Sequence, residues 1–182
     1  GCLWPWHLRE NPTLFGFAHG NSGIAHFFLL LYGATQDPKW KHMVLEVIET
    51  LNKNAIPDQG GLHWPRVPEP DKDEVLRCQW CNGSPGIGLF FIKAFELLKD
   101  ESYLETAKLA GETTFAYGDI RENPSQCHGL TGNAELFIEL CRVTGESLWL
   151  ERAYDFGRMS FTYRSLETEG DLWQADESGQ YS

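Results

Sequence analysis

Apolar positions along the chain fall into three blocks of the same design. Each block opens with a dense apolar stretch, such as Phe27-Phe28-Leu29-Leu30-Leu31 or Leu89-Phe90-Phe91-Ile92. A short polar break follows: Gln36-Asp37-Pro38, Lys99-Asp100-Glu101 and Thr144-Gly145-Glu146. The stretch after the break is apolar on one side only. Trp40, Val44, Val47, Ile48 and Leu51 recur at helical spacing, as do Trp149, Ala153, Phe156, Ser160 and Tyr163; Tyr103, Ala107, Ala110 and Tyr117 make a weaker stripe. Such a period predicts helices in pairs. The dense member of each pair is expected to be buried nearly all round, and the striped member to turn its polar side to water. An all-α arrangement satisfies both, with an inner ring of helices inside an outer ring.

Each dense stretch is preceded by a glycine loop. AHGNSG, CNGSPG and CHGLTG place G-x-x-G at Gly20/Gly23, Gly83/Gly86 and Gly129/Gly132, at offsets of 63 and 46 residues. That spacing suits an array of helical pairs with a longer insert in the first unit. The repeat units are read as residues 14–56, 78–117 and 125–165 of one domain spanning 1–182. Glycine permits close backbone approach where a chain turns tightly into a helix, and Pro85 suits a first helical turn. The linker at 55–77, with Pro57, Pro65, Pro68 and Pro70, is expected to be a long surface loop without regular structure. A second linker runs from Gly118 to Gln126.

Charge narrows the function classes. Fifteen basic against 26 acidic residues leave a net charge of −11, which argues against a nucleic-acid face or an anionic membrane surface. No apolar run reaches the roughly 18 residues of a membrane span, and no secretory signal opens the chain. Five cysteines, an odd and sparse set, do not resemble a disulfide scaffold and point to a reducing cytoplasm.

In such a setting cysteines are buried, catalytic or metal-bound. Cys81 and Cys127 hold the same position in two repeats, so units packed side by side bring their sulfurs together, with His128 adjacent. Two thiolates and an imidazole suit zinc, and three protein ligands leave the open position of a catalytic site. Cys78 and Cys81 form a C-x-x-C, but the second C-x-x-C of a zinc ribbon and the βαβ setting of a redox motif are absent. Cys2 and Cys141 read as small buried hydrophobes. His26 and His63 read as structural or exposed, and His63 is the alternative ligand.

The stretches FAHGNSGIA, QWCNGSPGIG and CHGLTGNAELF resemble the conserved loops of the lanthionine synthetase C-like cyclases, in the same order and over essentially the whole chain. The resemblance implies an α/α toroid of seven inner and seven outer helices. About three pairs are supplied here, so the chain looks like a piece of a longer cyclase. It implies zinc bound by Cys81, Cys127 and His128, with His19 as the active-site histidine and Arg77 as a basic residue near the site. It also implies a reaction, the addition of a peptide cysteine to dehydroalanine or dehydrobutyrine to close a thioether ring. The implied partners are a dehydrated precursor peptide and a dehydratase, and open toroid ends suggest self-association. Asn82 stands where the family commonly has Tyr or His.

The implied chemistry agrees with the residues. A free thiol is a poor nucleophile at neutral pH, and a bound metal deprotonates it. A histidine titrating near neutrality suits protonation of the enolate, and an arginine suits stabilising its oxygen. Three other readings stay open: addition of a small thiol such as glutathione, a catalytically silent peptide-binding domain, and an α/α-barrel carbohydrate enzyme. The last needs paired carboxylates, where these loops offer Cys, His and Asn.

Overall fold

Three helical hairpins account for most of the described residues. The computed structural model describes residues 14–70, 76–118, 123–167 and 170–173. Helices α1 (Asn21–Thr35) and α2 (Pro38–Asn54) form the first pair, α3 (Ser84–Leu98) and α4 (Glu101–Tyr117) the second, and α5 (Leu130–Thr144) and α6 (Ser147–Ser160) the third. The polar break makes the same turn each time. Gln36, Lys99 and Gly145 end the first helix in the left-handed conformation, at φ 56°, 61° and 74°. An acidic residue then starts the second helix. The Asp37 carboxylate accepts the Lys39 amide at 3.0 Å, and Asp100 accepts the Ser102 amide at 3.0 Å.

Helix α3 lies between α1 and α5, and each of these three packs on its own outer partner. The result is an arc of an α/α toroid, with α1, α3 and α5 on the inside. Its core runs from Phe15 and Leu29 through Phe90 and Phe91 to Phe137 and Phe156, all fully buried. The outer helices turn their stripes inward as the spacing predicts: Val44, Val47, Ile48 and Leu51 of α2 are buried, as are Trp149, Ala153, Phe156 and Ser160 of α6. Tyr117 departs from the α4 stripe. It is exposed, and its hydroxyl donates to the Asp58 carboxylate at 2.7 Å.

Two expectations need correction. The linker at 55–77 does contain regular structure: β1 (Ile56–Asp58) pairs antiparallel with β2 (Gly61–His63). Gln59 and Gly60 turn between them with φ of 46° and 83°, the paired left-handed conformations of a tight hairpin turn. The hairpin packs on α4 and leads to Trp64, whose buried indole N–H donates to the Leu51 carbonyl at 2.8 Å. A second antiparallel hairpin, β3 (Arg164–Glu167) with β4 (Gly170–Trp173), follows α6.

The inner helices are also not buried equally. Phe90 in α3 and Leu136 in α5 are 0% exposed, but Phe27, at the same repeat position in α1, is 55% exposed. Leu136 is buried because it reaches α3, where a Cβ at Gly88 would lie 2.8 Å from its Cδ1. Among the described residues no helix stands in that place beside α1. At the other edge Ile138 is 52% exposed, while its equivalents Leu29 and Ile92 are buried.

Candidate metal centre

The three glycine loops gather at one end of the arc, and their geometry explains G-x-x-G. Each loop folds back so that a carbonyl six residues earlier lies over each glycine. A Cβ at Gly23, Gly86 or Gly132 would collide with the carbonyl of Phe17, Trp80 or Gln126 respectively. At Gly20, Gly83 and Gly129 the obstructing carbonyls are those of Leu14, Arg77 and Asn123. No side chain fits either place, so the spacing is a steric requirement of the loop.

Backbone hydrogen bonds join the loops in order. The Ala18 amide donates to the Cys81 carbonyl at 3.1 Å, and the Cys81 amide donates to the Cys127 carbonyl at 3.2 Å. These three residues hold the same repeat position, so the rung between loops two and three sets the two cysteines side by side. The buried Asn133 amide nitrogen holds the backbone near loop two, donating to the Cys78 and Gly118 carbonyls, each at 2.9 Å. The approach to loop three is shaped by Asn123, whose side-chain oxygen accepts the Ser125 amide at 3.0 Å and the Ser125 hydroxyl at 2.7 Å.

Cys81, Cys127 and His128 bring their ligand atoms within 4.8 Å of one another. Cys81 Sγ lies 3.5 Å from His128 Nδ1. Tetrahedral zinc with sulfur at about 2.3 Å and nitrogen at about 2.0 Å has ligand–ligand edges near 3.5–3.8 Å, so the three residues fit a zinc ion with a small contraction. Cys81 is buried and His128 exposed, which leaves one side open to solvent. Burial pushes the Cys81 thiol up to about 11, and the Cys127 sulfur beside it adds to the push. Two sulfurs this close resist sharing two negative charges, and a divalent cation removes that cost. The Asn82 amide donates toward Cys81 Sγ at 3.8 Å.

The other candidates lie around this cluster. His19 is exposed at the tip of loop one, at the repeat position His128 holds in loop three, and outside the three-residue cluster. Arg77 is exposed and lines a narrow crevice with Arg66 and Asn82. His63 sits on β2 and takes no part in the cluster. Burial holds His26 and His63 below the usual histidine range. Cys78 is buried with its thiol toward the Thr113 carbonyl, and Cys2 lies outside the described residues. Two features escaped the reading of the sequence. One is Asn133, signalled only by a polar residue where the other repeats have Ile24 and Ile87. The other is a cleft of about 650 Å³ on α1, lined by Phe17, His19, His26, Phe27 and Trp80 among others.

Comparison with known proteins places the chain. The profile of the family described as lanthionine synthetase C-like protein matches residues 5–171. Glutathione S-transferase LANCL1 of Danio rerio is 31% identical over 163 residues, covering 88% of this chain and 38% of that protein. LanC-like protein GCL1 of Arabidopsis thaliana is 29% identical over 154 residues, covering 84% of this chain and 34% of that one. The chain thus spans well under half the length of these relatives. Among solved structures, nisin cyclase superposes with a TM-score of 0.74 at 17% identity, over 84% of this chain and 40% of its own. A family 76 glycoside hydrolase from Bacteroides thetaiotaomicron gives 0.68 at 15% identity, over 99% and 42%. Likeness at these identities extends to the fold alone. Family and fold agree with the three loops: the chain belongs to the lanthionine synthetase C-like family.

Proposed function

We propose that this chain carries the zinc site of an enzyme that adds a thiol to a dehydroalanine or dehydrobutyrine residue, with a peptide cysteine as donor and a lanthionine-type thioether as product. The observation that carries the reading is the convergence of Cys81, Cys127 and His128. These three residues would hold the ion. Bound zinc supplies one thing, the deprotonation of an incoming thiol at neutral pH.

The chain's own residues account for the rest. The open side next to exposed His128 admits the donor sulfur. In the addition the sulfur forms a bond to Cβ of the dehydro residue, the carbon–carbon π bond breaks, and the electron pair moves onto the carbonyl as an enolate. His19 is assigned the proton delivered to Cα, and Arg77 the stabilisation of the enolate oxygen. The donor's proton and the Cα proton balance, so the net change is addition of S–H across the double bond.

A second reading is favoured by one comparison. The relative from Danio rerio is called a glutathione S-transferase. On that reading the same site takes glutathione in place of a peptide cysteine. The two are separated by incubating a dehydrated peptide that contains cysteine with the chain and zinc, with and without glutathione. Ring closure leaves the peptide mass unchanged while its free thiol disappears; glutathione addition raises the mass by one tripeptide. Loss of either activity in Cys127→Ala ties it to this site. Peptide binding without either product would favour a catalytically silent domain.

A further inference from the structure

Gly16 is a glycine that the G-x-x-G design does not require. It holds the repeat position of Gln79 and Ser125, where the other two loops carry side chains. A Cβ at Gly16 would lie 2.4 Å from Asn82 Oδ1 and 2.5 Å from the Cys81 carbonyl oxygen. The bare backbone of loop one therefore makes the room in which the Asn82 side chain and the Cys81 backbone lie. The Asn82 backbone is fixed too, because its carbonyl accepts the Gln79 amide at 3.2 Å.

Seated in this way, the Asn82 amide faces Cys81. Its Nδ2 donates toward Cys81 Sγ at 3.8 Å, and the Asn82 backbone N–H also bonds to that sulfur. The amide oxygen lies against Gly16, buried and without a hydrogen-bond partner among the described residues. An unpaired buried acceptor costs free energy, and the orientation that accepts this cost is the one that keeps N–H on sulfur. A second amide flanks the same atom in the opposite sense: Gln79 presents Oε1 at 3.9 Å. Gln79 suits a protonated thiol, which can donate to oxygen, whereas Asn82 suits a sulfur that has lost its proton to a metal. The two sulfurs of the cluster are not treated alike, since the Gln126 amide next to Cys127 is turned to Glu135 at 3.1 Å.

We propose that Asn82 is a positioning residue of the metal centre, whose N–H groups hold the Cys81 sulfur as a thiolate ligand and draw charge from it. The proposal rests on the reading of Cys81 as a metal ligand. A divalent cation with two thiolates and an imidazole has no net charge, and a donor thiolate adds one negative charge to it. N–H groups aimed at a resident sulfur offset that added charge. Asn82 acts through Cys81 and needs no contact with the substrate.

The test loads the chain with cobalt(II) in place of zinc and records the sulfur-to-cobalt charge-transfer band. A hydrogen bond lowers the energy of the sulfur lone pairs, so its loss moves this band to longer wavelength. The expected result is that shift in both Asn82→Leu and Asn82→Ala, with the band unmoved in Gln79→Leu. No shift in either Asn82 variant overturns the proposal. An equal shift in Gln79→Leu also overturns it, because the band would then report packing around the loop and not the N–H donor. A chain that shows the expected shifts yet adds no thiol to a dehydrated peptide fails the proposed reaction and still supports the role of Asn82. A folded parent that takes up no cobalt overturns both.

Discussion

The Cys81 amide donates to the Cys127 carbonyl at 3.2 Å, and this single backbone rung holds the two sulfurs of the candidate centre side by side. The same rung one repeat earlier joins Ala18 to Cys81. A structural ladder shared by all three loops has thus become a ligand set where two of its positions are cysteine.

Asn133 ties α5 to Cys78, ahead of Cys81, and to Gly118 at the end of α4 through two buried hydrogen bonds. Asn133→Leu is expected to cost about 1–3 kcal/mol, because the Cys78 and Gly118 carbonyls lose their donor in a buried place. Chemical denaturation reads the stability. Zinc titration of the same variant is expected to show affinity reduced roughly tenfold, since residues that orient ligands act on that scale.

Two glycines on helices are expected to respond in opposite directions. Gly86→Ala drives a Cβ into the Trp80 carbonyl and the Phe17 side chain, and should destabilise by more than about 2 kcal/mol. Gly157 lies inside α6 with nothing within 4 Å of an added Cβ. Gly157→Ala should stabilise by roughly 0.5–1 kcal/mol. Thermal melts of the two variants beside the parent check both signs.

Burial pushes the Cys78 thiol up to about 12, from an ordinary 9.0. A thiol raised in this way binds its proton more tightly in the folded state than in the unfolded state. Its effect on stability is absent below pH 9 and grows as a loss as pH rises from 9 towards 12. Denaturation midpoints measured from pH 7 to 10.5 should fall along an alkaline limb, and Cys78→Ala should make that limb shallower. A limb of unchanged slope would assign the loss to other groups.

The paired helices were legible because alternation between dense and striped apolar segments reports burial directly, and the polar breaks carry the turn and capping residues that stop one helix and start the next. The glycine loops were legible by superposition, and so was the shared position of Cys81 and Cys127. The β1–β2 hairpin was obscured by its length: three-residue strands in a proline-rich linker give too few alternations to count, although Gln59-Gly60-Gly61 carries its turn. The exposure of Phe27 was not readable at all. Phe27 and Phe90 look alike in sequence, and only the neighbouring helix decides which of them is buried. Asn133 was passed over because its function lies in two carbonyls, 15 and 55 residues away in sequence.

The most direct test of the metal centre is zinc content. The purified chain, refolded with zinc and dialysed, is analysed for metal beside Cys81→Ala and Cys127→Ala. The expected result is about one zinc per chain in the parent and a loss of bound zinc in both variants. No zinc in a folded parent, or zinc retained in both variants, would contradict a centre built from Cys81, Cys127 and His128.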